Sequence, residues 1–235
     1  MSLSTKSSGY QFPAKNRSLN YRVLKSQRRS FALQIEPGGG LIIRAPAHCS
    51  QSDIQRLLDK HENWIKTHVH AAKEHPPAQF IEGEQYFYLG QQYPLVFGDS
   101  GSHSIKFDQA FIVAEELRFK AESIILQWFQ REAGKYLGHR CQELATQFNF
   151  SFTRLRLNNA KTNWGSCSIR GSINLNWRLL HCPPEVIDYI IIHELSHLRE
   201  MNHSPRFWAL VKKLSPDYQR HKNWLRQNSN KIRIF

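Results

Sequence analysis

The sequence predicts an α+β fold, in which a β-rich N-terminal module precedes an α+β module built around one apolar, histidine-bearing helix. Three observations lead there. Between residues 20 and 115, short segments alternate apolar and polar residues and are broken by turn residues, the period-2 mark of strands. From residue 116, the apolar residues of LRFKAESIILQWFQREAGKYLGHRCQELATQFN recur at three- and four-residue spacings over many turns, the mark of a long helix. Near the end, VIDYIIIHELSHL is an apolar helical run interrupted only by a few polar residues. The expected organisation is a flexible tail over 1–19, a β-rich module with one helix over 20–115, and a second module over 116–235, divided where the hydrophobic period changes. A chain of 235 residues is long enough for one or two modules with real cores.

Each element has its local reason. YRVLKSQRRSFALQIEPGGGLIIRAP, residues 21–46, reads as short strands, with Gly38-Gly39-Gly40 supplying the backbone freedom of a tight connection. Ser50 or Ser52 caps a helix through DIQRLLDKHENWIKTHV, whose Ile54, Leu57, Leu58, Trp64, Ile65 and Val69 fall on one face until Pro76-Pro77 stops it. EQYFYLGQQYPLVFGD and SIKFDQAFIVAEE alternate as strands, the first a hairpin about Gly90-Gln91. RLRLNN and SINLNWRLL are strands joined by the loop TNWGSCSIRG, and helices follow from Pro183.

Composition bounds the function. No apolar run approaches a membrane span, and the Ser-rich, basic N-terminus has no apolar centre of the kind a secretory signal requires. The cysteines Cys49, Cys141, Cys167 and Cys182 are widely separated and form no CxxC pair, so they are read as reduced thiols of a cytoplasmic protein without a membrane partner. The net charge of +13 suits nucleic acid, anionic metabolites such as nucleotides, or an acidic protein, and equally a solvated basic surface.

The chemistry concentrates in HELSHLREMNH, residues 193–203. Pro183-Pro184 fits the first turn of a helix, and Glu185 and Asp188 complement its positive end. Val186, Ile187, Ile190, Ile191, Leu195 and Leu198 outline a buried stripe, and His193 and His197, four apart, share a face on which two imidazoles converge. Glu194, one residue on, is rotated by roughly 100° and lies beside a metal rather than on it, where a base for a metal-bound water belongs. Neutral imidazoles suit zinc, which lowers the pKa of its water towards neutrality while a carboxylate takes the proton. A third protein ligand is required; His203, beyond a helix end expected around Met201-Asn202, is favoured over Glu200, which sits too close to His197 on the same helix. One zinc ion per chain is expected, in a site that other divalent metals also suit.

With these residues in view, the C-terminal third resembles the YgjP-like metallopeptidase family: WGSC, INLN, PPEVIDYIIIHELSHL and NHSPRFW occur in that family's order and spacing. RAP and the IQRLLDKHENWI helix extend the likeness to about residues 20–228. It implies a zincin-like catalytic module in which His193, His197 and His203 bind zinc and Glu194 is the catalytic acid/base. HS-x-x-FW after the third histidine also resembles SprT-like peptidases, some of which act on DNA-bound proteins. The histidine spacing equals that of the metzincins, but Glu200 stands where they carry glycine and no Met-turn follows, so the chain is not placed among them.

Two further positions are candidate substrate contacts. Ser166, with the loop amides, is open to positioning a substrate carbonyl or phosphate, while Trp164 and Cys167 read as parts of an anchored turn. Tyr189, one turn before His193, is either a donor to an oxyanion or a helix tyrosine packed for structure. Phe207, Trp208, Leu210, Val211 and Leu214 form a helical apolar stripe that holds the third ligand still. The expected activity is zinc-dependent hydrolysis of a peptide or protein. The alternatives are a metal-dependent nucleotide pyrophosphatase acting on nucleoside triphosphates, and a DNA-associated protease or nucleic-acid-binding module using the basic surface.

Overall fold

The computed structural model describes residues 9–14, 17–36, 38–74, 78–160 and 163–232. The architecture is mixed α+β, and the chain divides into two compact units between Pro77 and Ala78. In the first unit, β1 (Gly9–Ala14), β2 (Arg17–Ser26), β3 (Ala32–Ile35) and β4 (Leu41–Pro46) form one sheet in the order β1-β2-β4-β3. β2 and β4 run parallel, with Tyr21 opposite Leu41 and Val23 opposite Ile43. The alternation therefore puts these four on one face, where they form a core with Ile54, Leu58, Ile65 and Val69 of the helices.

The expected tail over 1–19 needs correction where it is described. Residues 9–14 and 17–19 are strand, because β1 pairs antiparallel with β2 over its whole length; residues 1–8 and 15–16 lie outside the described residues. The expected single helix after residue 50 is two, α1 (Gln51–Lys60) and α2 (Glu62–Glu74), broken at His61. Ser50 is the cap: its side chain accepts from Asp53 N while Asp53 accepts from Ser50 N, a reciprocal capping box. Pro76 and Pro77, read as the stop, lie outside the described residues.

The second unit opens with β5 (Gln85–Tyr88), β6 (Gln91–Gly98), β7 (Ile105–Phe107) and β8 (Phe111–Ala114), ordered β5-β6-β8-β7. The β5–β6 hairpin turns on Leu89-Gly90, one residue earlier than the sequence suggests. Both have positive φ, +48° and +82°, the two-residue geometry that matches strand twist. A side chain at Gly90 would stand 2.9 Å from Pro183 Cα, so the glycine lets the hairpin abut the entry of the histidine helix. Leu89 N donates to Leu180 O at 2.8 Å, and His181 Nδ1 donates to Phe87 O at 2.6 Å, fixing the same junction.

A 3-10 turn (Glu115–Lys120) leads into α3 (Ala121–Gln147), whose Trp128 packs edge-on against Tyr88 and Phe111 and whose Phe129 packs at a tilt against Phe111. This packing ties the β5–β8 sheet to α3, so the module boundary expected at 115/116 falls inside the second compact unit. Next come β9 (Arg154–Asn158), β10 (Gly165–Cys167) and β11 (Ser172–Asn176), in the order β10-β11-β9, with β11 parallel to β9 and antiparallel to β10. The segment TNWGSCSIRG, expected to be loop throughout, thus contains an edge strand.

After a 3-10 turn (Trp177–His181) the chain forms α4 (Pro184–Ser196), α5 (Pro205–Leu214) and α6 (Tyr218–Ile232). α4 buries Val186, Ile187, Tyr189, Ile190, Ile191, Ile192 and Leu195, so it is a core helix, apolar nearly all round, and not the one-sided stripe inferred from periodicity. Arg140 of α3 makes a bidentate pair with Asp188 of α4, at 2.7 and 2.8 Å. Among the described residues no helix is long and apolar enough to cross a membrane.

Candidate metal centre

The site is assembled where α4 ends. Pro184 fits the first helical turn, where a missing N–H costs nothing, and the run of isoleucines carries the helix through the core to His193 and Glu194. The helix stops at Ser196, with His197 as its C-cap still in helical geometry, five residues before the expected end. The turn 197–199 follows, and Ser204 starts α5, its hydroxyl accepting from Phe207 N at 3.3 Å. The short connection between the helices returns His203 to the end of α4.

His193, His197 and His203 each offer one ring nitrogen to a common point, and these nitrogens lie within 4.8 Å of one another. His203 Nε2 is 3.1 Å from His193 Nε2, close to the ~3.3 Å edge of a tetrahedron with metal–nitrogen bonds of ~2.0–2.1 Å. His197 Nδ1 donates to Glu200 O at 3.2 Å, which fixes its tautomer and leaves Nε2 free for a ligand. Glu200 therefore contributes its carbonyl to orienting a histidine. Phe207, fully buried, places its ring 4.9, 4.5 and 4.8 Å from the rings of His193, His197 and His203, and Trp208 stacks on His203 at 5.6 Å.

Burial, reinforced by the neighbouring His197, His203 and Lys222, pushes the His193 pKa down to about 3. Burial also lowers that of His197, against the partial opposition of the Glu200 carbonyl. Neutral imidazoles are the form that binds metal, and the buried His193 Nδ1 has no hydrogen-bond partner among the described residues. This donor set, three converged imidazole nitrogens packed around Phe207, fits a zinc-type divalent cation with a position left open.

Glu194 is 5 % exposed, and burial raises its pKa to about 8. It lies against β10: a Cβ built on Gly165 would meet Glu194 Oε1, Cγ and Cδ at 2.6, 2.7 and 2.8 Å. Sequence reasoning missed Gly165. The signal available was the glycine of WGSC itself, in a strand too short to show alternation.

Tyr189 is buried, its ring 6.1 Å from His193 and 6.2 Å from His221 of α6. Burial first, then Tyr218 and Glu194, raises its pKa to about 12. Ser166 sits elsewhere. Successive strand residues point to opposite faces, so with Gly165 against Glu194, Ser166 projects from the other side of β10, where its hydroxyl accepts from Asn174 Nδ2 at 3.2 Å. Cys167 shares the Gly165 side, and burial, then Glu194, raises its pKa to about 11, so it is a thiol and not a thiolate near neutral pH.

A family model described as YgjP-like, metallopeptidase domain, matches residues 29–228. No curated protein matches the chain. Among solved structures, it is similar to the metallopeptidase zymogen of Pyrococcus abyssi abylysin, with 24% identity over 38% of this chain and 90% of that one and a TM-score of 0.35. It is also similar to the metallopeptidase zymogen of Methanocaldococcus jannaschii jannalysin, at 19% identity, 39% and 94% coverage, and a TM-score of 0.35.

Proposed function

The chain belongs to the YgjP-like metallopeptidase family, and from that premise we propose that it hydrolyses peptide bonds with one zinc ion held by His193, His197 and His203 and with Glu194 as general base. The observation that carries this reading is the convergence of three imidazoles at the end of the helix that also carries the buried carboxyl of Glu194, next in sequence to the first of them. Bound zinc supplies a Lewis acid that brings the pKa of water close to neutrality. Glu194 takes the proton of the attacking water, and a carboxyl whose affinity for protons is raised by burial is a better acceptor and a competent donor to the leaving amine. Gly165 leaves room for that carboxylate. Phe207 and Trp208 hold the third histidine, and Glu200 O holds the second.

Tyr189 is assigned to packing: its ring lies against His193 on a buried helix and keeps that imidazole in place. Ser166, bonded to Asn174 on the opposite face of the strand, is left out of the catalytic set. The proposed catalytic module is the second compact unit, which holds every residue named here.

The test is metal content together with turnover of a casein-type substrate and of a panel of nucleoside triphosphates, for wild type and Glu194→Gln. One zinc per chain in both proteins, with peptide cleavage lost in the variant, is the expected result. Glu194-dependent release of pyrophosphate or phosphate without peptide cleavage replaces the peptidase reading by a nucleotide one, and absence of bound metal overturns both.

A further inference from the structure

The sheet that places Gly165 over Glu194 has a second face, and its chemistry is different. The register pairs Ser172 with Arg154, Asn174 with Arg156, and Ser166 with Asn174. Since partners share a face and neighbours along a strand do not, Arg154, Arg156, Ser172, Asn174 and Ser166 project together, while Leu155, Leu157, Ile173, Leu175 and Gly165 project the other way. The apolar side is covered: Ile173 and Leu175 are fully buried, Leu157 lies by Gly134 of α3, and Gly165 lies by Glu194 of α4. On the polar side Arg154 and Arg156 are exposed, as is Arg170 in the β10–β11 turn, and none of the three makes an ion pair among the described residues.

The lack of counter-charge is written into the sequence. Residues 144–184 contain neither Asp nor Glu, although the exposed Arg154, Arg156 and Arg170 lie within them. Elsewhere the cations are commonly neutralised by neighbours: Arg22 by Glu36, Lys66 by Glu62, Arg118 by Glu115 and Lys135 by Glu132. A solvated basic surface with no partner to bind needs no such segregation.

We propose that the solvent-facing side of the β10-β11-β9 sheet binds the phosphodiester backbone of nucleic acid without reading its sequence. Guanidinium forks interspersed with Asn amides and Ser hydroxyls are the donor set that contacts phosphate oxygens. Along β9 the arginines repeat every second residue, about 6.6 Å apart, so they face a ligand with charge repeated along an extended line. The surface does not depend on the peptidase reading, because it lies on the opposite face of the sheet from Glu194.

The experiment measures binding of a fluorescein-labelled 20-mer DNA of arbitrary sequence, single-stranded and duplex, from 50 to 200 mM salt. The proteins are wild type, Arg154→Gln/Arg156→Gln/Arg170→Gln, and a control that loses the same charge elsewhere, Lys106→Gln/Arg131→Gln/Lys135→Gln, each shown to be folded by its unfolding midpoint. Wild type is expected to lose affinity steeply with salt. The sheet variant should bind at least tenfold more weakly at 50 mM, with a duplex salt slope shallower by about two to three, while the control stays within twofold of wild type. Equal losses in the two variants, no loss in the sheet variant, or no salt-dependent binding by wild type overturns the proposal. Displacement of the DNA by poly-glutamate at equal charge concentration reassigns the face to acidic proteins and overturns it as well.

Discussion

Replacing Gly165 by alanine tests how closely Glu194 is fitted to its place. The added methyl would stand 2.6 Å from Glu194 Oε1 and under 3 Å from Cγ and Cδ, whereas ordinary contact begins at 3.4 Å. Something must therefore move by roughly 0.6–0.8 Å. The carboxylate is the part that gives, because it is a side-chain terminus, while β10 is pinned to β11 and Glu194 Cα belongs to a core helix. Displacement of a reacting group by about 1 Å costs on the order of 10²-fold in rate, within the 10²–10⁴-fold a general base contributes. Backbone strain adds nothing, since Gly165 is not among the positive-φ glycines. Gly165→Ala should thus retain zinc and KM, lose about 10²-fold in kcat on a peptide substrate, and be destabilised by about 1–3 kcal/mol from overpacking. Steady-state kinetics with metal analysis and urea unfolding read these out. Turnover within threefold of wild type at full zinc occupancy would refute the reasoning.

Three other perturbations have defined outcomes. A chelator should lower the unfolding midpoint and zinc restore it, because a ligand bound only to the folded state stabilises it by mass action; a His193→Ala chain should show no such shift by scanning calorimetry. Phe207→Ala removes a fully buried ring that touches all three imidazoles, and should cost about 3–5 kcal/mol in stability and about 10–100-fold in zinc affinity, measured by denaturation and competitive chelation. His181 is buried, and that burial pushes its pKa from 6.5 down to about 4, so the folded state favours the neutral ring. As pH falls below 6.5 the unfolded chain takes up the proton first, and stability drains away until about pH 4. His181→Gln keeps a donor for Phe87 O without titrating, so wild type should lose about 2 kcal/mol more than the variant between pH 7.5 and pH 5, and parallel pH profiles would refute the assignment.

Much of this arrangement was legible because it rests on short-range rules. A spacing of four puts His193 and His197 on one helix face, a serine ahead of an apolar helical run marks a cap that the structure places at Ser50 rather than Ser52, and the alternation in RLRLNN and SINLNWRLL gives β9 and β11, although WRLL of the second segment is a 3-10 turn. What escaped depends on partners distant in sequence. Gly-Ser-Cys is too short to show a period, and only pairing with Ile173–Leu175 makes it a strand. The break at His61 carries neither glycine nor proline to announce it. The division between units follows from aromatic packing of β5–β8 on α3, a contact across elements that no local window contains.

The same sheet shows why the missed residues matter to the proposed chemistry. A buried carboxylate is costly unless something compensates, and here burial raises the Glu194 pKa towards the pH at which it must exchange protons. That shift requires a dry, close-packed surround, which the isoleucines of α4 and the glycine of β10 supply together: a larger side chain at 165 displaces the carboxylate, and a more open contact rehydrates it. The opposite face of the same strand is free of this constraint and carries Ser166, hydrogen-bonded to Asn174 in the row that ends at Arg156. A period of two thus lets one short edge strand serve a buried acid on one side and a basic, solvent-facing surface on the other, so that substitutions at 165 and at 156 should act on turnover and on polyanion binding independently.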